Sequence, residues 1–356
     1  MARQPPCPLP FFTFLVSNDY RIYGLTLQSD LAIPGLCALP QVPAAADLHL
    51  ELAARPTWVK YALDLPITAV RSRPASLLPG DPAFSVTEFA DGQYFLLSYG
   101  DGTRFVTDHS CTHLWGESGA GLSHEDLCVY LLGPVMGFIL RKRGFSPLHA
   151  GAVSIREDAI ALVGEAGAGK STTAAALALR GWPVLCEDVC AFDELGGKFL
   201  VRPGYPRVSL WPDSTEFLFS STEALPLIVQ GWEKRFLPLD GTRAHFAGRA
   251  APLGAIFLLA ARCTDKSAPY VEPISAREAL LQLVQDTYMN WLLNSHQRAV
   301  EFDVLTRLVT SVACFRVVPS SDPARLPLLA ELIEAQTLRI VARDQYPAIG
   351  LSARNV

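Results

Sequence analysis

Eight consecutive residues, Gly164-Glu165-Ala166-Gly167-Ala168-Gly169-Lys170-Ser171, have the types and spacing that hold phosphate. They fit G-x-x-x-x-G-K-[ST]. Glycines let a backbone turn tightly enough to present its N–H groups to phosphate oxygens. A helix that starts at the end of the loop adds the positive end of its dipole. The N–H groups from Gly164 to Thr172 would form the cradle, so Glu165, Ala166, Gly167, Ala168 and Gly169 all belong to it. Lys170 would reach the β- and γ-phosphates of ATP or GTP, and the Ser171 hydroxyl would ligate Mg2+.

A phosphate loop that works with Mg2+ needs a carboxylate nearby, to hold the metal or to take a proton from an attacking hydroxyl. Glu187-Asp188 follows the short apolar run Val184-Leu185-Cys186 and places two carboxylates at a strand end. On an extended strand the two would point opposite ways. Asp188 is the leading candidate base, and Glu187 and Asp188 join Ser171 as metal ligands. His149, on the preceding strand, is a candidate for steadying the γ-phosphate, against the reading of a satisfied core histidine. Lysine is scarce, with six among 30 basic residues, so Lys234-Arg235 stands out beside Trp232 and Phe236. The pair could clamp phosphate or be a solvated loop pair, and Arg207 invites the same argument. His109-Ser110-Cys111-Thr112-His113 alternates metal-ligand types that a strand would put on one face, but it lacks a second ligand pair for zinc. Cys186 and Cys190 read as small apolar packers.

The elements that must position these residues are legible around the loop. Ala159–Val163 is an apolar strand leading in, and Thr172–Arg180 is a helix closed by Gly181 with Pro183 beyond. Leu148–Ile155, Val184–Cys186, Phe199–Arg202, Arg207–Leu210, Gly254–Ala261 and Cys314–Val318 read as strands. Ser123–Arg143 reads as a helix capped by Ser123 and kinked at Gly133-Pro134. Ser275–Glu278 opens another with capping-box spacing, its apolar face running through Leu280, Leu281, Val284, Tyr288 and Leu292. Ala324–Ala335 is a further helix, and Gln336–Val356 reads as weakly structured. Ahead of Ser123 the pattern is short strands, at Phe11–Val16, Arg21–Leu27 and Thr103–Thr107, with a hairpin across Asp91-Gly92.

A chain of 356 residues, half of them hydrophobic, suggests two domains. The expected division is a mostly β domain over 1–122, a phosphate-loop α/β domain with carboxyl-terminal helices over 123–340, and a tail over 341–356. A net charge of −5 gives no basic footprint for nucleic acid. No apolar run is long enough for a membrane span. Eight scattered cysteines and an amino terminus without signal-peptide pattern point to the cytoplasm.

Leu148-His149-Ala150-Gly151-Ala152-Val153, the loop 164–171, Arg180-Gly181 and Leu185-Cys186-Glu187-Asp188-Val189 together resemble the catalytic domain of HPr kinase/phosphorylase. Tyr23–Asp30, Leu31–Leu36, Leu131-Leu132-Gly133-Pro134 and Pro203–Pro212 resemble the HPr-kinase-like proteins of peptide biosynthesis clusters, including lasso peptide clusters. The resemblance implies an α/β phosphate-loop fold with a mixed sheet, related to the nucleotide-binding part of phosphoenolpyruvate carboxykinase. It also implies phosphoryl transfer to a serine hydroxyl of a peptide or small protein, in the lasso group the terminal serine of a precursor peptide. The family's acidic pair is Asp-Asp, whereas here the first member is Glu187, and the phosphorylase segment is not evident. Homo-oligomers occur in the family. Two other readings stay open on the residues: a regulatory module that senses nucleotide without transferring it, and a small-molecule kinase or nucleotidyl transferase.

Overall fold

The computed structural model describes residues 18–41, 45–73 and 83–345. The strand expected at Phe11–Val16 and the end of the tail, 346–356, lie outside them. Two large sheets, a two-stranded ribbon and eight α-helices make a mixed α/β architecture among the described residues.

The first sheet is built from β1 (Asp19–Ile22), β2 (Leu25–Ser29), β3 (Leu48–Glu51), β4 (Ile67–Ser72), β5 (Phe84–Phe89), β6 (Tyr94–Tyr99), β7 (Arg104–Asp108) and β8 (His113–Glu117), with α1 (Thr57–Asp64) between β3 and β4. Its order is β1-β2-β3-β8-β7-β6-β5-β4. The stretch Arg21–Leu27, read as one strand, is a hairpin. Tyr23 and Gly24 take φ of 51° and 75° and turn β1 back onto β2. The hairpin across Asp91-Gly92 forms as expected between β5 and β6.

Ser123 caps α2 (His124–Tyr130) in a reciprocal box with Asp126. The expected kink is a π-helical turn over Leu131–Val135 that continues into α3 (Met136–Lys142). Pro134 has no N–H to give to the preceding turn, and the wider turn absorbs the loss. Leu131, Leu132, Val135 and Met136 are fully buried. They belong to one apolar cluster that includes residues of both sheets.

The second sheet carries the glycine-rich loop 164–171, the expected phosphate loop. Its strands are β9 (Leu148–Ile155), β10 (Asp158–Val163), β11 (Val184–Cys186), β12 (Val189–Cys190), β13 (Phe192–Leu195), β14 (Lys198–Val201), β17 (Ala251–Leu259), β18 (Tyr270–Pro273) and β19 (Ala313–Val318). A separate two-stranded ribbon pairs β15 (Arg207–Leu210) with β16 (Arg235–Pro238). The pairing β10–β17–β19 is parallel, β9 runs antiparallel to β10, and β11 and β12 both pair with β9. The sheet is therefore mixed, as expected. The helix α4 (Lys170–Leu179) packs on it through Ala174, Ala175, Ala176 and Ala178, and these small side chains let the helix axis approach closely. The remaining helices are α5 (Pro212–Phe219), α6 (Ala276–Leu283), α7 (Ser295–Ser311) and α8 (Leu326–Gln345).

Three expectations change here. The helix opened by Ser275 stops at Leu283, and Leu281 from its expected apolar face is 60% exposed. Tyr288 lies in the connection to α7, where it enters the site. The stretch from Gln336 to Gln345 is helical as the end of α8, anchored by buried Thr337 and Val341. Of His109–His113, residues 109–112 form a turn and only His113 is on a strand, so the five do not share a strand face. Asp108 accepts from the N–H groups of Thr112 and His113, and His109 Nδ1 pairs with the Gly92 carbonyl. Among the described residues no helix is long and apolar enough to cross a membrane.

Gly137 in α3 lies so close to the Tyr288 ring that a Cβ would overlap Cε1 and Cδ1. Gly137→Ala is therefore expected to destabilise the fold by about 1–3 kcal/mol, the usual cost of overpacking. Urea denaturation measures it as a lower midpoint at unchanged slope.

Candidate active site

The phosphate loop leaves the end of β10, a strand fully buried from Ala159 to Val163. Gly164 has φ 153°, and a Cβ there would stand 2.7 Å from the Leu259 carbonyl oxygen. Gly167 and Gly169 adopt φ of 85° and 100°, which only glycine takes at low cost. Lys170 folds back across the loop. Its Nζ donates to the carbonyls of Gly164 and Glu165 at 2.7 and 3.0 Å. Burial lowers its pKa from the usual lysine value, against the opposing charges of Asp188, Asp286 and Glu165.

The two carboxylates stand where the chain changes strands. β11 pairs with β9 up to Cys186, and β12 resumes the pairing with Val189 opposite His149. Between them Asp188 has φ 62°, and the Val189 N–H donates to the Glu187 carbonyl at 2.6 Å. This is the i→i+2 bond of a γ-turn with a positive φ at its centre, an uncommon and strained form. The expected extended geometry is thus absent, and the turn sets the direction of each carboxylate.

Glu187 turns inward. Its Oε1 accepts from the Ser209 N–H at 2.6 Å and its Oε2 from the Ser209 hydroxyl at 2.9 Å. The Ser171 hydroxyl approaches Oε1 at 3.4 Å. Burial pushes the Glu187 carboxyl up, opposed chiefly by Arg207. Arg207 is itself buried, with its guanidinium 5.1 Å from the Tyr205 ring centre and Nε without a hydrogen-bond partner.

Asp188 points the other way and stays 41% exposed. His149 Nε2 lies 3.0 Å from Oδ1, and the Tyr288 hydroxyl donates to Oδ2 at 3.0 Å. Burial works to raise this carboxyl. The hydrogen bond and charge of His149, then Lys234 and Tyr288, outweigh it and hold Asp188 well below the usual carboxylate range. Burial and the Asp188 charge keep the Tyr288 phenol protonated, hence a donor. The π-turn passes alongside: a Cβ on Gly133 would stand 3.9 Å from Asp188 Oδ2.

The structure therefore brings Lys170, Ser171, Glu187, Asp188, His149 and Arg207 into one region. Lys234 joins by charge, its ammonium seated 4.6 Å from the centre of the Trp211 ring. Arg235 does not follow it, since its guanidinium donates to the Leu225 carbonyl at 2.7 Å. The Thr172 and Ser214 hydroxyls hydrogen-bond to each other at 2.8 Å. Ser209, Tyr288 and Asp286 were not singled out from sequence. Asp286 is buried with Oδ2 unpartnered, within electrostatic reach of Lys170 and His149. Only the Pro203–Pro212 stretch hinted at Ser209. Tyr288 lies 100 residues from Asp188, and no local pattern marks it.

The donor set fits Mg2+. Ser171 and Glu187 offer hard oxygen ligands, and Mg2+ characteristically takes one or two protein oxygens with phosphate and water. Among the described residues no group of three His, Cys, Asp or Glu side chains could hold a metal ion. The Gly-rich turn at a helix start fits a chain of phosphates.

No protein-family model matches this sequence, and no curated protein does either. Among solved structures the chain is similar to the HPr(Ser) kinase/phosphatase of Coxiella burnetii, at 16% identity and a TM-score of 0.31. That match covers 56% of this chain and 96% of the other.

His149 is the strongest single influence that keeps Asp188 ionised. In His149→Ala the Asp188 pKa rises, so any activity that needs the carboxylate is lost at a higher pH on the acid side. An NMR titration of the Asp188 carboxyl should show its midpoint moved upward in the variant. An unmoved midpoint would separate His149 from the ionisation of Asp188.

Proposed function

We propose that this chain is a phosphotransferase that moves the γ-phosphoryl group of ATP or GTP onto a serine hydroxyl of a peptide or small protein. The observation that carries the reading is the placement of Asp188. It is an ionised, half-exposed carboxylate beside His149, Tyr288 and Lys234, within electrostatic reach of the Lys170 that closes the phosphate loop.

In this reading the loop N–H groups and Lys170 bind the phosphates. Ser171 and Glu187 would hold Mg2+, with Asp188 a further ligand. The metal, when bound, neutralises charge on the phosphate oxygens. The acceptor hydroxyl hydrogen-bonds to Asp188, which aims its oxygen at the γ-phosphorus. The new O–P bond forms as the bond from the β-phosphate oxygen to the γ-phosphorus breaks, the proton passes to Asp188, and the nucleoside diphosphate leaves. A strongly ionised carboxylate is a weak base, which suits a loose transition state in which orientation outweighs early proton removal. His149, Arg207 and Lys234 steady the transferring charge.

The residues before Ser123 form the acceptor side of the proposal. Tyr23, at the tip of the first hairpin, is fully buried against Gly204 and lies within electrostatic reach of Asp188. The resemblance to the HPr-kinase-like proteins of lasso peptide clusters suggests the terminal serine of a precursor peptide as acceptor. A cytoplasmic setting, which rests on the scattered cysteines, and a homo-oligomer complete the proposal.

Asp188→Asn keeps the size, replaces one acceptor oxygen with an NH2 donor and cannot take the proton. Incubated with γ-labelled ATP, Mg2+ and an accepted peptide, it should transfer about 10²- to 10⁴-fold more slowly than the parent. Nucleotide affinity by calorimetry should stay largely intact. Parental transfer rates in the variant would remove Asp188 from the role of base.

A further inference from the structure

The sheet order places the phosphate loop between two different surroundings. On the β9 side of β10 lie β11, β12 and the carboxylate pair. On the β17 side lies β19, followed by the loop Pro319–Pro323. A cleft of about 110 Å3 opens on that second side. Its floor is Gly169, Thr172 and Thr173, the last residue of the loop and the first turn of α4. The walls are α5, which presents Phe217, and the start of α8, which presents Leu326 and Leu329. The Thr172–Ser214 hydrogen bond ties the α5 wall to the loop helix. Apolar surface predominates in the cleft, but Asp213, Ser214, Arg262, Ser320, Asp322 and Arg325 also line it and bring polar groups of both charges.

A triphosphate lying across the loop has two ends. The end to be transferred must face Asp188, so the end that carries the nucleoside leaves on the opposite side, over Gly169. We infer that this cleft is the nucleoside subsite and that it takes the flat ring of the base against Phe217. The inference rests on the phosphate-loop reading above. Phe217 is 37% exposed, an aromatic face with no role in the core. Base–aromatic stacking is a recurrent source of nucleotide affinity. Arg262 reaches over the same end of the loop, its Nη2 3.9 Å from where a Cβ of Gly169 would stand. It is exposed and carries the charge to meet the phosphate nearest the ribose. The polar edges suit ring nitrogens and exocyclic groups, as small-molecule sites commonly combine apolar walls with a few oriented polar groups.

The test is calorimetry on the full chain with Mg2+, comparing ATP with inorganic tripolyphosphate, which has the phosphates and no nucleoside. The parent should bind ATP more tightly than tripolyphosphate. Phe217→Ala should weaken ATP on the order of tenfold and leave tripolyphosphate unchanged. Leu326→Trp, which puts a larger ring into the cleft away from the phosphate loop, should do the same. Unchanged tripolyphosphate binding also shows that each variant is folded at the loop. If ATP binds no tighter than tripolyphosphate, or if both variants keep ATP affinity within about twofold, the nucleoside lies elsewhere and only the cleft assignment falls. If the folded parent binds neither ligand, the phosphate-loop reading falls and the cleft assignment with it.

Discussion

Two short strands, β11 and β12, share one neighbour, and the gap between them is where the carboxylates stand. The γ-turn at Asp188 is what the site depends on. It breaks the ladder against β9 for two residues and then restores it, so that Val189 faces His149. One carboxylate is driven into the protein, where Ser209 and Ser171 meet it. The other is left at the surface between His149 and Tyr288. A regular strand would also send the two side chains apart, but it would not hold both near the end of β10. The strained φ is sustained because flanking strands, a buried glutamate network and the Ala150 N–H bond to the Asp188 carbonyl all fix the same backbone.

Several remote elements serve that turn. Tyr288 is held by the connection between α6 and α7, and that connection is pinned in turn. Arg141 of α3 donates through Nε to the Tyr288 carbonyl and pairs with Glu301 at 2.6 Å, both side chains almost fully buried. Glu301 also accepts from Thr287 at 2.8 Å. Arg141 Nη2 is buried without a hydrogen-bond partner, yet breaking a buried pair by removing one partner costs several kcal/mol, which makes the position of Tyr288 stiff. The first sheet contributes through Tyr23, whose N–H donates to the Pro203 carbonyl and whose carbonyl accepts from Arg202. Gly204 leaves the space that the Tyr23 ring occupies.

The local parts of this arrangement were legible in the sequence. A glycine-rich loop between an apolar strand and an alanine-rich helix carries its own geometry, because positive φ and close backbone approach demand those residue types. The Ser123 and Ser275 caps were readable for the same reason. What was not legible depends on contacts distant in the chain. The Glu187-Asp188 turn looks like a strand end, since neither residue marks a γ-turn and only the pairing with β9 enforces it. Tyr288 has the spacing of a helix face, yet α6 ends at Leu283 and the tyrosine goes to Asp188. α7 escapes a periodicity reading because its buried face includes Glu301, a charge kept inside by Arg141. Arg235 and Lys234 are adjacent in sequence but part company, as alternation along β16 and its approach sends Arg235 to a backbone carbonyl.

The central claim is that a triphosphate lies in the Lys170 turn with its terminal group presented to Asp188. A crystal structure of the full chain with Mg2+ and a non-hydrolysable ATP analogue tests it directly. The account predicts the β- and γ-phosphates on the loop amides and Lys170, with Asp188 flanking the open face of the γ-phosphate close enough to hold an acceptor hydroxyl between them. A nucleotide bound away from the loop, or with its γ-phosphate turned from Asp188, would contradict it.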